Sequence, residues 1–223
     1  MWTCPGTDAE RRPIPGEGTR LRPVSATPTT VPQVSLDGTW QFHFSPEIPD
    51  DGPTPSWVDA GWDAPDGYWR DMPVPAHWGL VATDVSRPQY TNVTYPFPVD
   101  PPFVPDANPT GDYLREFLLP ATDGEGEWVL RVLGVESSAR IWIDGEYVGL
   151  TQGSRLTQDL ALPAGFDANP QVTHTIAVRV SQFSAGSYLE DQDQWWLPGI
   201  FRPIVLVWRP RTGVADVTVR ADY

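Results

Sequence analysis

The segment Ser187–Arg202, SYLEDQDQWWLPGIFR, places three acidic residues within four positions. In an extended chain Asp191 and Asp193 share one face, about 6.6 Å apart at a rise of ~3.3 Å per residue. In inverting glycosidases the two catalytic carboxyl groups lie ~6.5–9.5 Å apart, and the separation of Asp191 and Asp193 falls within that range. A catalytic pair must however flank the scissile bond from opposite sides, whereas neighbours on one strand face point the same way. The spacing therefore argues against a self-contained catalytic pair.

Three interpretations of these acids stay open from the residues alone. One is an ordinary solvated loop. Another is a cation site, in which one carboxylate joins other oxygen ligands for an alkali or alkaline-earth ion. The third is a sugar-binding surface, because Trp195 and Trp196 follow at once. Aromatic rings beside hydroxyl-accepting carboxylates match both the C–H patches and the O–H donors of a sugar.

A second candidate segment is Tyr90–Tyr113, YTNVTYPFPVDPPFVPDANPTGDY. Its repeated prolines fix the backbone, so that a polar group such as Asn92 can be held at low entropic cost. An asparagine amide donates and accepts, as vicinal sugar hydroxyls require. The alternative is that Asn92 caps a turn. We discount the glycosylation sequon that begins at Asn92, since no secretory signal precedes it.

Other catalytic chemistries find little support. The three histidines, His43, His77 and His174, lack metal-ligand spacing, and no serine lies in a nucleophile elbow. Cys4 is the sole cysteine, which excludes an intrachain disulfide. We interpret the histidines as structural or surface residues.

The elements that must position these residues are strands. Trp40, Phe42 and Phe44 alternate with polar residues, and Asp144-Gly145 between two short strands is typical of a type I′ hairpin. Frequent prolines from 45 to 112 exclude long helices and predict a long, ordered coil with short strand pieces. We expect Trp57, Trp62, Trp69 and Trp78 to hold this coil in place. Further strands are predicted at 113–119, 127–133, 139–143, 147–150, 173–181 and 203–208. The fold class is all-β, an antiparallel jelly-roll sandwich.

Composition and net charge limit the classes of partner that the chain can bind. The net charge of −14 disfavours nucleic acid and anionic membranes, because no basic surface is available. No apolar run approaches the ~20 residues that span a bilayer. Without a signal peptide, we expect a cytoplasmic protein. Residues 1–33 are predicted to form an irregular arm, 34–212 the jelly-roll domain, and 213–223 the first strand of a following domain.

The two candidate segments, with LDGTWQF, VPAHWG and RIWIDGEYVGLTQGSRL, resemble the N-terminal sugar-binding domain of glycoside hydrolase family 2, specifically bacterial lactose-splitting β-galactosidases. The resemblance spans nearly everything from Ser35 to Arg209. It implies a galactose-binding-like jelly roll, then an immunoglobulin-like domain and a TIM barrel that bears both catalytic glutamates. No catalytic residue is therefore expected in this chain.

The resemblance also implies roles for two residues. Asn92 in YTNVTYP and Asp193 in SYLEDQD would bind galactoside hydroxyls, and Asp193 would coordinate a sodium ion shared with the barrel. Magnesium is implied in the barrel only, and the parent protein is implied to be a homo-oligomer. Glu190 and Asp191 are expected to hold the loop, with Arg202 as their partner. The residues that follow Asp193 are bulkier than those usual in the family, and this difference affects the shape of the outer sugar subsite.

Three alternatives to a β-galactosidase domain remain at this point. The chain could be an autonomous, non-catalytic carbohydrate-binding module, or a purely structural domain that mediates assembly of the oligomer. The same domain could also come from a β-glucuronidase or a β-mannosidase, since only YTNVTYP and SYLEDQD favour galactose.

Overall fold

A computed structural model describes residues 31–59, 61–190, 192–214 and 218–221. Within them the chain is almost entirely strand and coil. The strands are β1 Gln33–Ser35, β2 Gly38–Ser45, β3 Arg70–Val74, β4 Gln89–Thr91, β5 Thr110–Phe117, β6 Gly126–Val132, β7 Ser138–Ile143, β8 Glu146–Gln152, β9 Gln158–Ala161, β10 His174–Ser181, β11 Gln194–Trp196 and β12 Ile204–Pro210. The helices are single turns, α1 Trp78–Val81 and α2 Ser187–Glu190, with a 3-10 turn at Ser56–Val58.

The strands form two antiparallel sheets that pack face to face, and a separate short ribbon. One sheet has the order β1-β12-β6-β9 and the other β3-β2-β5-β10-β7-β8. The ribbon pairs β11 with β4. The predicted all-β antiparallel sandwich is confirmed. No described helix is long and apolar enough to cross a bilayer.

The core lies between the two sheets and follows the alternation of the strands. Trp40 and Phe42 of β2 point inward and are buried, as the sequence pattern predicts. Trp78 of α1 is fully buried in the same core. It fits there because β5 has a glycine at 111, where a Cβ atom would lie 2.7 Å from the indole ring. Gly111 is thus required by packing and not by backbone conformation.

The proline-rich coil covers the outer face of the six-stranded sheet as a partial third layer. Trp57 lies edge-on to Trp142 of β7, with ring centroids 6.2 Å apart, and to Trp69, at 5.8 Å. Trp62 also packs on this cluster. Strand β10 is consequently buried on both faces, with Ala177 beneath the coil. Of the four tryptophans expected to hold the coil, Trp78 instead belongs to the core between the sheets.

A buried ion pair fastens the coil to the sheet. The guanidinium of Arg179 in β10 binds both oxygens of Asp112 in β5, at 2.6 and 2.8 Å. It also binds both oxygens of Asp51 in the coil, at 2.6 and 2.7 Å. Arg179 and Asp112 are each 1 % exposed. Removing one of these charged side chains would strongly destabilise the domain, because a buried charge would remain without its partner.

The sequence predicted most long strands but located none of the short ones. Asp144 and Gly145 have φ of 51° and 81°, as a type I′ turn requires. Strands β1, β9 and β11 were not predicted, whereas β3 and β4 lie in the proline-rich segment, where short strand pieces were expected without bounds. Residues 1–30 lie outside the described part, as do 215–217 and 222–223. The described residues after 212 form no strand, and the boundaries at 33/34 and 212/213 stay predictions.

Replacing the buried arginine tests this anchoring. Arg179→Met should lower the free energy of unfolding by roughly 3–5 kcal/mol, because Asp112 would remain buried without its cation. Arg211→Met is the control, since Arg211 and its partner Glu125 are both 78 % exposed. Arg211→Met should lower the free energy of unfolding by at most about 1 kcal/mol. Urea unfolding of the two variants measures both values, and equal losses would contradict the anchoring role.

Candidate functional site

The β4–β11 ribbon brings the two candidate segments together. Gln194 pairs with Thr91, Trp195 with Tyr90 and Trp196 with Gln89. Continuing this register by one residue sets Asp193 opposite Asn92. Both residues are exposed at the open end of the ribbon. The structure therefore places the two predicted site residues side by side.

Alternation along the ribbon divides its side chains into an outward and an inward set. Successive strand residues point to opposite faces, so one face carries every second residue of each strand. The outward set is Tyr90, Asn92, Asp193 and Trp195, and we call it the site face. Tyr90 is 49 % and Trp195 is 54 % exposed. Their rings lie 5.4 Å apart between centroids.

The inward set anchors the ribbon. Trp196 is buried against Phe97, Val104 and Phe183. Its indole N–H donates to the hydroxyl of Thr91 at 2.7 Å, which links the two strands through their side chains. The adjacent tryptophans thus have different roles: Trp196 anchors the ribbon and Trp195 faces solvent.

Hydrogen bonds pin the proline-rich segment to helix α2. The Tyr95 hydroxyl donates to the carbonyl of Tyr188 at 2.8 Å. The Tyr188 hydroxyl in turn donates to the carbonyl of Phe103 at 2.6 Å and accepts from the amide of Asp100 at 3.1 Å. Both strands of the ribbon are therefore tied to one compact unit.

One oxygen of the Asp193 carboxylate already accepts a hydrogen bond within the domain. The Tyr90 hydroxyl donates a hydrogen bond to its Oδ1 atom. This bond raises the pKa of Tyr90, because the neutral phenol is the donor. Within the described residues Oδ2 of Asp193 and the side chain of Asn92 make no hydrogen bond, so Asn92 caps no turn there. With respect to the described residues, an exposed carboxylate oxygen of Asp193 and the side-chain amide of Asn92 therefore remain available to a ligand.

Glu190 holds the loop through a partner other than the expected one. Its carboxylate accepts from the amide of Ser154 at 3.1 and 3.2 Å and from the Ser154 hydroxyl. It also lies 3.9 Å from Arg155. The prediction of Arg202 as partner is wrong for Glu190, because Arg202 donates to the Arg155 carbonyl at 2.9 Å. Asp191 lies outside the described residues.

The histidines lie away from the site face, in structural contacts. His43 stacks on Tyr68 with centroids 3.8 Å apart, and His174 bonds Asp144 at 2.7 Å. His77 stacks on Phe201, and burial lowers its pKa. The described part of the chain holds no cluster of three or more His, Cys, Asp or Glu side chains arranged for a metal ion.

Tyr90 is the site-face residue that sequence reasoning did not single out. A signal existed, since Tyr90 and Asn92 are two positions apart and share a face in any extended conformation. Its pairing with β11 could not be inferred, because Tyr90 and Asp193 are 103 positions apart.

The sequence of the chain matches a known protein family. Residues 34–210 match the family described as "Glycosyl hydrolases family 2, sugar binding domain". The chain belongs to this family. The match covers every strand from β2 to β12.

Curated relatives of this family 2 domain are much longer than the chain. It is 42 % identical over 221 residues to a "Beta-galactosidase" of an Arthrobacter species, covering 94 % of this chain and 22 % of the relative. It is 40 % identical over 193 residues to a "Beta-galactosidase" of Photobacterium profundum, covering 84 % and 17 %. The chain spans about a fifth of the length of these relatives.

Solved structures show the fold of the family 2 domain. A β-glucuronidase of Bacteroides uniformis aligns with a TM-score of 0.53 at 22 % identity, covering 80 % of this chain and 18 % of that one. A β-glucuronidase of Ruminococcus gnavus aligns with a TM-score of 0.56 at 17 % identity, covering 86 % and 31 %. At such identities the likeness establishes the sandwich and nothing about the ligand.

The bond between Tyr90 and Asp193 gives a spectroscopic prediction. Asp193→Asn should lower the pKa of Tyr90, because the charged acceptor that favours the neutral phenol is removed. Carbon NMR of ζ-labelled tyrosine, followed through the phenol titration, resolves this residue, and Tyr90→Phe assigns its signal. Asp84→Asn is the control, since Asp84 pairs with Arg70 elsewhere. An unchanged Tyr90 titration in Asp193→Asn would rule out the bond.

Proposed function

We propose that this domain contributes to the active site of a retaining β-galactosidase, in which Asn92 and Asp193 bind hydroxyls of the substrate galactoside. The reaction itself would take place in a TIM barrel of the same polypeptide, after an immunoglobulin-like domain. One observation carries the proposal: the ribbon holds Asn92 and Asp193 opposite each other, exposed and with hydrogen-bonding atoms that no described residue engages. The names and greater lengths of the curated relatives support it.

The chemistry of the site face suits a neutral sugar. The Asp193 carboxylate accepts hydrogen bonds from sugar hydroxyls, and the Asn92 amide both donates and accepts. Trp195 offers an exposed apolar ring beside them for C–H patches of the sugar or its aglycone.

The donor set also fits a sodium ion as part of the proposal. Asp193 provides an exposed carboxylate oxygen that no described group engages, and alkali cations prefer such hard oxygen ligands. When bound, sodium would offset the carboxylate charge and draw a galactose hydroxyl toward it. The remaining ligands would come from the barrel. Magnesium in the parent would be bound by residues of the barrel, as the resemblance implies.

The role of the chain's residues in catalysis is positioning. Hydrogen bonds from Asn92 and Asp193 would orient the galactose ring before the barrel's glutamates act on it. A fixed orientation converts binding energy into rate, because the reacting atoms are held at attack distance. The rigid ribbon matters here, since a mobile donor would lose entropy on every binding event.

The chain alone should bind galactose weakly and hydrolyse nothing. A few hydrogen bonds, each worth about 0.5–1.5 kcal/mol net, leave affinity in the millimolar range or weaker after association costs. Calorimetric titration of residues 1–223 with galactose, in sodium and then in potassium, measures this. A clear micromolar isotherm would contradict the shared site and support an autonomous carbohydrate-binding module.

In the full-length parent, Asp193→Ala should reduce turnover and its sodium dependence together. Loss of a charged hydrogen bond costs about 1.5–3 kcal/mol, so kcat/KM should fall roughly 10- to 150-fold. Asp84→Ala is the matched control, because Asp84 is also an exposed aspartate but lies outside the site face. Steady-state hydrolysis of a galactoside at graded sodium concentrations measures both effects. An unchanged sodium response in Asp193→Ala would contradict the assigned role.

A further inference from the structure

The segment that carries Asp193 is fastened at both ends by glutamates. At its start Glu190, the last residue of α2, accepts from the amide and the hydroxyl of Ser154. At its end Glu136, between β6 and β7, accepts from the amide of Leu197 at 3.0 Å. The backbones of Glu136 and Gly199 also exchange two hydrogen bonds of 3.1 Å. Asp193 lies between these two attachment points, three residues after one and four before the other.

A single guanidinium connects the two glutamates. Arg155, in the turn between β8 and β9, donates from Nη2 to Oε2 of Glu136 at 3.0 Å. Its Nη1 lies 3.9 Å from Oε2 of Glu190. These side chains line a small pocket together with Ser154 and Trp196. The cluster therefore spans the base of the Asp193 segment.

The positive charge of Arg155 offsets the repulsion between the carboxylates of Glu136 and Glu190. Glu136 is 7 % exposed, and its burial raises its pKa, while the Leu197 amide and Arg155 oppose that effect. The nearby carboxylate of Glu190 adds repulsion. Without a cation between them the two carboxylates would move apart or one would take up a proton. A planar guanidinium can bind both at once, which the point charge of a lysine does less well.

We propose that Arg155 is a positioning residue for Asp193. By holding Glu136 and Glu190 together, Arg155 fixes both ends of the segment between residues 190 and 197. This sets the register of β11 against β4, on which the meeting of Asp193 with Tyr90 and Asn92 depends. A slip of one residue would turn Asp193 to the opposite face. Its importance for galactoside binding rests on the proposed function, whereas the geometric effect on Asp193 does not.

The test uses the Tyr90 titration in the 223-residue chain, because that signal reports on the Tyr90–Asp193 contact. Arg155→Gln should move the Tyr90 midpoint from the wild-type value toward that of Asp193→Asn, and Arg155→Lys should restore part of the shift. Arg70→Gln is the control: Arg70 is 44 % exposed against 40 % for Arg155, and it pairs with Asp84. That variant should keep the wild-type midpoint, and thermal unfolding checks that all variants are folded. A wild-type midpoint in folded Arg155→Gln would overturn the proposal.

A second variant keeps the test decisive if Arg155→Gln does not fold. Glu190→Gln retains an oxygen acceptor for Ser154 but removes the charge that Arg155 binds. It should shift the Tyr90 midpoint in the same direction. Where Arg155→Gln also folds, the double variant should shift the midpoint no further than the larger single change. An unchanged midpoint in Glu190→Gln, or fully additive shifts in the two variants, would contradict a shared cluster.

Kinetics of the parent enzyme separate this proposal from the proposed function. If both hold, Arg155→Gln raises the galactoside KM and the sodium concentration needed for half-maximal activity, while Arg70→Gln changes neither. A shifted Tyr90 titration with unchanged kinetics would uphold the positioning of Asp193 and count against its role in binding substrate.

Discussion

The antiparallel pairing of β4 with β11 is the interaction on which the site depends. Three residue pairs bring together segments that are about a hundred positions apart, and the register decides which side chains face outward. A two-stranded ribbon by itself is at best marginally stable in water. Its order must therefore come from what lies beneath it: Trp196 in its aromatic cluster, the bond from Trp196 to Thr91, and the glutamates at the ends of the β11 segment.

The sandwich supports the ribbon through few but buried contacts. The side chain of Asn108 is fully buried and bonds the backbone of Phe183 twice, donating at 2.8 Å to its carbonyl and accepting at 2.9 Å from its amide. This fastens the end of the proline-rich segment to the residues that continue β10. Strand β10 is in turn buried on both faces. The position of the site face thus depends on β10, in which seven of the eight residues are buried.

The sequence predicted the sandwich because its long strands alternate in hydrophobicity, as Trp40 and Phe42 show. It could not predict β4 or β11, since three residues are too few for a periodic signal and prolines surround β4. Resemblance to the family, and not spacing, singled out Asp193 among the acids. Arg202 was the wrong partner for Glu190 because nothing in the sequence indicates that the turn at Arg155 lies beneath α2. Side-chain contacts between distant segments depend on the tertiary fold.

The most direct measurement of the central claim is a crystal structure of the full-length parent with a galactoside bound at its active site. The account predicts that the Asn92 amide and the Asp193 carboxylate both lie within hydrogen-bonding distance of hydroxyls on the same galactose ring, with the ring facing the barrel. A galactoside in the barrel whose hydroxyls contact neither side chain, with the site face turned toward solvent, would contradict it.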